Sequence, residues 1–343
     1  MAINLKYLGY NIVKTDYKKL FEYTSTLSNI KKRSKFDIYK DLIFCLFKYK
    51  TRFLDYFYFR FFEKETDRTV HTNVWDMHLF HKKYNSINCI IFRDKLKFRD
   101  RFKKYFNYPY FELKNIDGVD NLLQWIKDNQ LNKLVAKEPL GTVGKGVLIL
   151  NVEYRENTIL INNVFGKEFI HSIFQEGFTL FETFIIQHPD LANIYPKSIN
   201  TVRIVTFLNN QKEVEVWGTL LRMGYDKSVD NFDAGGLSAK IDIKEGKVIT
   251  AAKLKDPFTQ MLYEKHPITN HPIKGIEIPY WEEVIALVKE AALEVKDVRT
   301  VGWDVALTIN GPTLIEGNDN WDKTHFELIS ETGLNAKIKE LLK

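Results

Sequence analysis

From Phe36 to Phe62, apolar residues at Ile38, Leu42, Ile43, Leu46, Tyr49, Phe53, Tyr56 and Phe57 recur at three- and four-residue steps. That is the period of an amphipathic helix, and it predicts one long helix or two. The stripe has two readings. It packs on the rest of the protein with its charges solvated, which is what amphipathicity signals first; or Lys40, Lys48, Lys50, Arg52 and Arg60 bind an anionic membrane surface or polyanion. A helix over Asp94 to Tyr105 is stopped by Asn107-Tyr108-Pro109, and another runs from about Val119 to Asn129. Val284, Leu287, Val288, Ala291 and Val295 form one stripe of a helix over Trp281 to Val295, and a last helix starts at about Leu334. Strands are predicted at Leu134 to Lys137, Val147 to Leu150, Thr201 to Leu208, Val214 to Arg222, Leu237 to Ile243, Val301 to Ile309 and Thr313 to Gly317. The mixture predicts an α+β fold, with no solenoid repeat and no low-complexity linker.

The glycine-containing loop Gly141-Thr142-Val143-Gly144-Lys145-Gly146 lies between two of these strands. A Walker or dinucleotide loop leads from a strand into a helix, and Walker A ends in Gly-Lys-Ser/Thr. Neither condition is met, so those two classes are disfavoured.

Length and charge sharpen the picture. The chain has 343 residues, enough for about two to three domains. Cys45 and Cys89 are its only cysteines, too few for a disulfide framework or a Cys-based zinc site. A reducing, cytoplasmic setting fits. The first residues lack the continuous apolar run of a signal peptide, and the apolar stretch Leu42 to Phe47 is far shorter than the roughly 18 to 20 residues a bilayer span needs. The overall charge of +6 hides a net +13 over residues 1–110 and −7 over 111–343, and the first 110 residues hold 27 of the 48 aromatic residues. Such asymmetry points to an anionic partner. Peripheral contact with the inner face of a membrane, or with a polyanion, through residues 36–62 is the expectation it raises. No specific nucleic-acid partner is expected.

The chemistry concentrates in the segment from Gly302 to Asn318. Two β-type runs flank Asn310-Gly311-Pro312, so it reads as a hairpin. A three-residue turn would pair Ile309 with Thr313 and put Asp304 opposite Asn318, leaving Asp304, Glu316 and Asn318 on one face. Two carboxylates and an amide suit Mg²⁺, which completes its octahedron with phosphate oxygens and water; the bland alternative is a solvated face. Lys137, at a strand end just before the glycine loop, would supply a cation for phosphates.

Together these blocks resemble the ATP-grasp fold, and within it the sugar-transfer-associated group of polysaccharide biosynthesis proteins. The resemblance spans roughly Asp94 to Asn318. It is carried by Asp94-Lys95-Leu96, Lys137 with its loop, Glu182-Thr183-Phe184-Ile185, and Asp304 through Glu316-Gly317-Asn318. The segments from Ser198 to Thr206 and from Val229 to Gly236 carry the subgroup likeness. The resemblance implies two α+β subdomains gripping ATP, over residues 93–185 and 186–343, preceded by a helical, basic and aromatic region over residues 1–92 where many relatives begin with a Rossmann-like domain.

It implies that Lys95 and Lys137 contact nucleotide phosphates under the loop carrying Gly141, Gly144 and Gly146. Glu182 and Ile185 would flank a hinge that receives adenine, although Glu182 also reads as an ordinary strand-end acid. Asp304, Glu316 and Asn318 match the family's magnesium ligands. Arg203 and Arg222 would hold the transferred phosphate or an acyl phosphate, or each could be a structural ion pair. Asn231, Gly235 and Gly236 resemble an acceptor loop, or simply a turn. The implied cofactors are ATP and Mg²⁺. The implied reaction activates a small-molecule or glycan-linked carboxylate as an acyl phosphate and joins it to an amine or other nucleophile. The alternatives are a glycan- or membrane-surface-binding protein with a vestigial nucleotide site, or a kinase without ligation.

Overall fold

The computed structural model describes residues 5–141, 146–156, 158–259 and 261–343. The chain opens with α1 (Leu5–Lys14), α2 (Tyr17–Lys31), α3 (Lys35–Lys48) and α4 (Phe53–Tyr58). Asp16 and Ser34 cap α2 and α3, their side-chain oxygens accepting from the amides of Lys19 at 3.0 Å and Asp37 at 3.1 Å. The helical period read across Phe36 to Phe62 is broken at Lys50, which adopts φ +55°. Packing explains the break. Tyr56, Phe57, Phe59, Phe61 and Phe62 are all buried, and a straight helix hides only a stripe, not successive residues. The chain turns instead, and these rings join Leu20, Leu27, Ile38 and Leu42 in one core. Phe258, far along the sequence, closes it, with its ring 5.2 Å from Tyr23 and 6.3 Å from Phe57.

After α5 (Val74–Tyr84) and α6 (Lys95–Arg101) comes a six-stranded antiparallel sheet in the order β1-β6-β2-β3-β4-β5. Its strands are β1 (Tyr110–Glu112), β2 (Lys133–Lys137), β3 (Val147–Arg155), β4 (Thr158–Ile161), β5 (Val164–Phe165) and β6 (Leu180–Thr183). Two helices, α7 (Val119–Asp128) and α8 (Gly166–Gln175), share a core with Leu134, Ala136, Leu150 and Phe181 on one face of the sheet. Strand alternation leaves Lys137, Glu182, Tyr110, Val147 and Ile149 on the other face. The short strands β1, β4 and β5 were not legible as strands, and β6 only as a strand end at Glu182, because runs of two to four residues give no period to count.

The short α9 (Pro189–Ala192) leads into a five-stranded antiparallel sheet in the order β11-β10-β7-β8-β9. It comprises β7 (Thr201–Leu208), β8 (Val214–Met223), β9 (Leu237–Lys240), β10 (Thr300–Thr308) and β11 (Gly311–Asn318). Its apolar face packs on α10 (Trp281–Glu294) through Val202, Ile204, Leu221, Ala239, Trp303 and Val305. The last two helices are α11 (Lys323–Ser330) and α12 (Asn335–Leu342).

Two details differ from the sequence expectation. The strand starting at Leu237 ends at Lys240, and Ile241 makes only an isolated bridge to Val248. The β10–β11 hairpin has a two-residue turn, with Thr308 opposite Gly311, because Gly311 takes φ +98° and closes the turn early. A bulge between Asp304 and Val305 then shifts the register. Asp304 therefore faces Glu316, not Asn318, whose partner is Gly302. The three side chains still share a face.

The N-terminal helices are joined to this second unit by specific contacts. Asp55 of α4 accepts from Lys323 of α11 at 3.0 Å, and the buried Glu327 carboxylate accepts from the Thr72 amide at 2.8 Å. Helix α5 packs along α12. Among the described residues no helix is long and apolar enough to cross a membrane.

Candidate functional site

The polar face of the second sheet carries the chemistry. Thr201, Arg203, Arg222, Ser238, Asp304, Glu316 and Asn318 all project from the side opposite the apolar core. At its centre Asp304 is buried between two guanidiniums. Arg203 grips both its oxygens, through Nε to Oδ1 and through Nη2 to Oδ2 at 2.8 Å, and Arg222 Nη1 donates to Oδ2 at 2.7 Å. Burial alone would raise the Asp304 pKa, but the two arginines reverse it and hold the carboxyl well below the usual range.

Arg222 also donates to Asp230 at 3.0 Å, and Asp230 receives the amide of Thr201 at 3.1 Å. Its Nε has no partner although the group is buried. An arginine in the middle of an apolar-flanked strand demanded acids nearby; Asp230 was missed because its partner lies around a loop, not on a facing strand.

Glu316 behaves oppositely to Asp304. Its residue keeps an exposed edge, while its carboxyl is crowded by protein beside Asp304. Shielding from bulk solvent, together with the Asp304 charge, raises its pKa. Asn318 Nδ2 donates to Glu316 Oε1 at 3.2 Å.

This donor set fits a hard cation. It offers two carboxylates and one amide oxygen, and Asp304 Oδ1, with one arginine N–H on it, keeps a lone pair. Among the described residues no cluster of three or more His, Cys, Asp or Glu side chains could hold a metal. An ion here must complete its shell from water or a ligand, as Mg²⁺ does with phosphates.

The lysines come from the first unit. Lys137 is paired with the buried Glu182 across the open face of its sheet. On its other side Glu182 lies 3.5 Å from the Nε of buried Arg99, whose guanidinium stacks over Phe106, Tyr108 and Tyr110 at 3.9, 4.2 and 4.7 Å. Glu182 is thus inside β6, held between two cations. Arg99 was not anticipated; three closely spaced aromatics after a buried helix were its signal.

Lys95, on the first turn of α6, donates to the carbonyls of Glu138, at 2.9 Å, and Gly141. Burial and the neighbouring Lys137 lower its pKa, while Glu316 acts on it in the opposite sense. The lysine group and the acid group therefore lie within electrostatic reach of each other.

The loop after β2 is shaped by glycine. Gly146 takes φ +70°, accepts from the Glu138 amide at 2.9 Å, and has no room for a Cβ, which would fall 2.7 Å from Glu138. Gly141 donates to the Glu138 carbonyl at 3.2 Å. Gly144 lies outside the described residues. Beyond β6 the chain crosses between the two sheets. Ile185 is buried there, Gln187 bridges to Thr308, and the His188 amide donates to the Leu307 carbonyl at 2.7 Å.

Asn231 caps the short turn that precedes Gly235 and Gly236, accepting from the Asp233 amide at 2.8 Å. Gly236 is required for packing, since a Cβ would sit 2.6 Å from the Asp230 carbonyl. Gly235, with φ +100°, faces open space. Beneath this loop the half-buried Lys255 joins Asp233, at 2.6 Å, to Asp322, at 2.9 Å. His325 stacks on Phe232 at 4.3 Å with Nε2 3.0 Å from Ser238 Oγ. Burial and the two arginines keep it neutral. Two cavities, of about 300 and 390 Å³, open along residues 103–110, and neither is lined by the acid set.

A family model described as sugar-transfer associated ATP-grasp matches residues 76–343, more than three quarters of the chain. A search of curated proteins found no match. Among solved structures, the D-alanyl-alanine synthetase A of Vibrio cholerae is similar at 12% identity and a TM-score of 0.44, over 74% of this chain and 64% of that one. The N5-carboxyaminoimidazole ribonucleotide synthetase of Thermotoga maritima matches at 14% and 0.36, over 67% and 42%. The N5-carboxyaminoimidazole synthetase of Staphylococcus aureus matches at 8% and 0.41, over 69% and 47%. The chain thus spans about half the length of several structures it resembles.

Proposed function

The chain belongs to the sugar-transfer associated ATP-grasp family, and on that premise we propose that it is an ATP-dependent ligase that activates a carboxylate as an acyl phosphate and joins it to an amine or other nucleophile. One observation carries the reading. A two-carboxylate, one-amide oxygen set lies beside two strand-borne arginines on one sheet, and Lys95, with Lys137 beside it in the other unit, is within electrostatic reach of Glu316.

In this reading Glu316, Asn318 and the free lone pair of Asp304 hold Mg²⁺, which when bound screens and orients phosphate oxygens. Lys95 and Lys137 exchange their internal partners for phosphate oxygens. The hinge backbone from Glu182 to Ile185 receives the adenine. Arg203 and Arg222 stabilise the phosphoryl group in transfer, their positions fixed in advance by Asp304 and Asp230. The loop at Asn231, Gly235 and Gly236 positions the acceptor.

The sugar-transfer association in the family's description supports a glycan-linked carboxylate or amine and a role in capsular or exopolysaccharide modification. The N-terminal helices supply peripheral contact with an anionic surface, not chemistry.

Calorimetry of MgATP binding on the wild type, Glu316→Ala and Lys137→Ala tests the nucleotide site, with binding expected to weaken at least tenfold in both variants. Mass spectrometry of reactions offered carboxylate and amine pairs tests the chemistry. A phosphorylated acceptor with no joined product would replace the ligase by a kinase.

A further inference from the structure

We infer that α3 is a membrane-docking face for anionic phospholipid, an assignment that deepens the peripheral-contact reading and does not depend on the ligase chemistry. The helix has two distinct sides. Ile38, Leu42, Cys45 and Leu46 point into the N-terminal core and are buried. On the opposite side Phe36, Ile43, Phe44 and Phe47 are 76%, 50%, 47% and 48% exposed. At 100° per residue these four lie within about 100° of one another, so three aromatic rings and one isoleucine form a single outward stripe. The segment 53–62 makes no part of it, because its rings are spent in the core.

Charge identifies the occupant. Residues 1–50 carry a net +7, more than the +6 of the whole chain. Lys40 falls in the middle of the apolar stripe, and Lys48 lies at its edge with Nζ 5.2 Å from the Phe44 ring. Of the acids of α3, Asp41 is neutralised by Arg68 at 2.9 Å and also accepts from Tyr56 at 2.8 Å, while the exposed Asp37 keeps its charge and is outnumbered by Lys35, Lys40 and Lys48 on the same helix. Cores of protein–protein interfaces are depleted in lysine. At a bilayer the same mixture is favourable: the rings enter the headgroup boundary while lysine stems lie along apolar surface and lift their ammonium groups to lipid phosphates.

The test is co-sedimentation of the full chain with vesicles of phosphatidylcholine alone and of phosphatidylcholine with 30 mol% phosphatidylglycerol, a composition chosen to be roughly that of a moderately anionic leaflet. The wild type should bind the anionic vesicles, more weakly as salt rises, and the neutral ones far less. The pair Phe44→Asp with Phe47→Asp, at exposed positions, should lose roughly tenfold or more of the partitioning. Lys40→Glu with Lys48→Glu should lose the preference for the anionic lipid. An unchanged melting curve and unchanged MgATP calorimetry would show that the fold and the nucleotide site are untouched in each variant. Absence of vesicle binding by the wild type at low salt, or binding unaltered in the phenylalanine pair, overturns the inference. So does a self-association of the wild type that the phenylalanine pair abolishes, which would give this face to a second copy of the chain.

Discussion

The two carboxylates facing each other across the hairpin are pulled in opposite directions, and that difference is measurable. Asp304 has a folded-state pKa below its unfolded value, so its contribution to stability is complete above about pH 4 and is lost as pH falls through the lower, folded value. Glu316 has a folded-state pKa above its unfolded value, so it favours the fold only at low pH, and that help is lost as pH rises through the folded value. At neutral pH the free protein therefore carries a repulsion that a bound cation would relieve. Glu316→Gln is expected to raise the melting temperature of the free protein while weakening MgATP binding; calorimetry and a melting curve on one sample check both.

Arg222→Met should behave differently. It leaves Asp304 and Asp230 short of a partner in a buried site and should cost about 3–5 kcal/mol, read by chemical denaturation. The acids, Arg203 and Arg222 were legible in the sequence because charge inside an apolar strand is conspicuous. Asp230, Arg99 and Lys255 were not, since their partners are brought by loops and packing that no spacing encodes.

At the scale of elements, periodic segments were readable and irregular ones were not. Strand β7 was placed to the residue and α10 to within one, because each shows its period over many residues. The β10–β11 hairpin was recognised but misregistered, since one bulge and one left-handed glycine change the count without changing the pattern. The loop over residues 231–236 illustrates what reading by element misses. It is fixed from below by Lys255, whose charged form is held by Asp322 and Asp233 against the cost of burial, and whose ammonium lies 5.1 Å from the Tyr58 ring of α4. Asp322 in turn caps α11 by accepting from the Thr324 amide at 2.8 Å. One side chain thus couples the 231–236 loop, α11 and an N-terminal helix. Lys255→Met should destabilise the protein by about 1–3 kcal/mol and speed amide hydrogen exchange around residues 231–236. The exchange of β2 and β6, in the other sheet, should stay as it is.

For the whole molecule, the open question is whether the N-terminal helices are a detachable addition, as the onset of the family match at residue 76 would suggest. The contacts argue that they are not. Asp55 and Lys323 are both nearly inaccessible, and they pair across the boundary with Thr324 and Arg52 completing the shell. Burial pushes the Asp55 carboxyl up, but Lys323 and Arg52 more than reverse it, to about 2. That depression amounts to about 2 kcal/mol of stability, present above about pH 4 and lost as the pH falls towards 2. Removing residues 1–75 would strip Lys323 of its acid, Glu327 of the Thr72 amide and Phe258 of its ring partners, all at once. A chain of residues 76–343 should therefore show no cooperative melting transition. The milder test is a double-mutant cycle. Asp55→Asn and Lys323→Met should each cost about 3–5 kcal/mol by leaving one buried charge alone, and the double variant distinctly less than their sum. If the two costs simply added, the pair would not be coupled and the N-terminal helices would be a separate module. A coupling of 1 kcal/mol or more, on the order of those measured for contacting residues, would make them a wall of the same folded unit that carries Asp322 and His325 beneath the 231–236 loop.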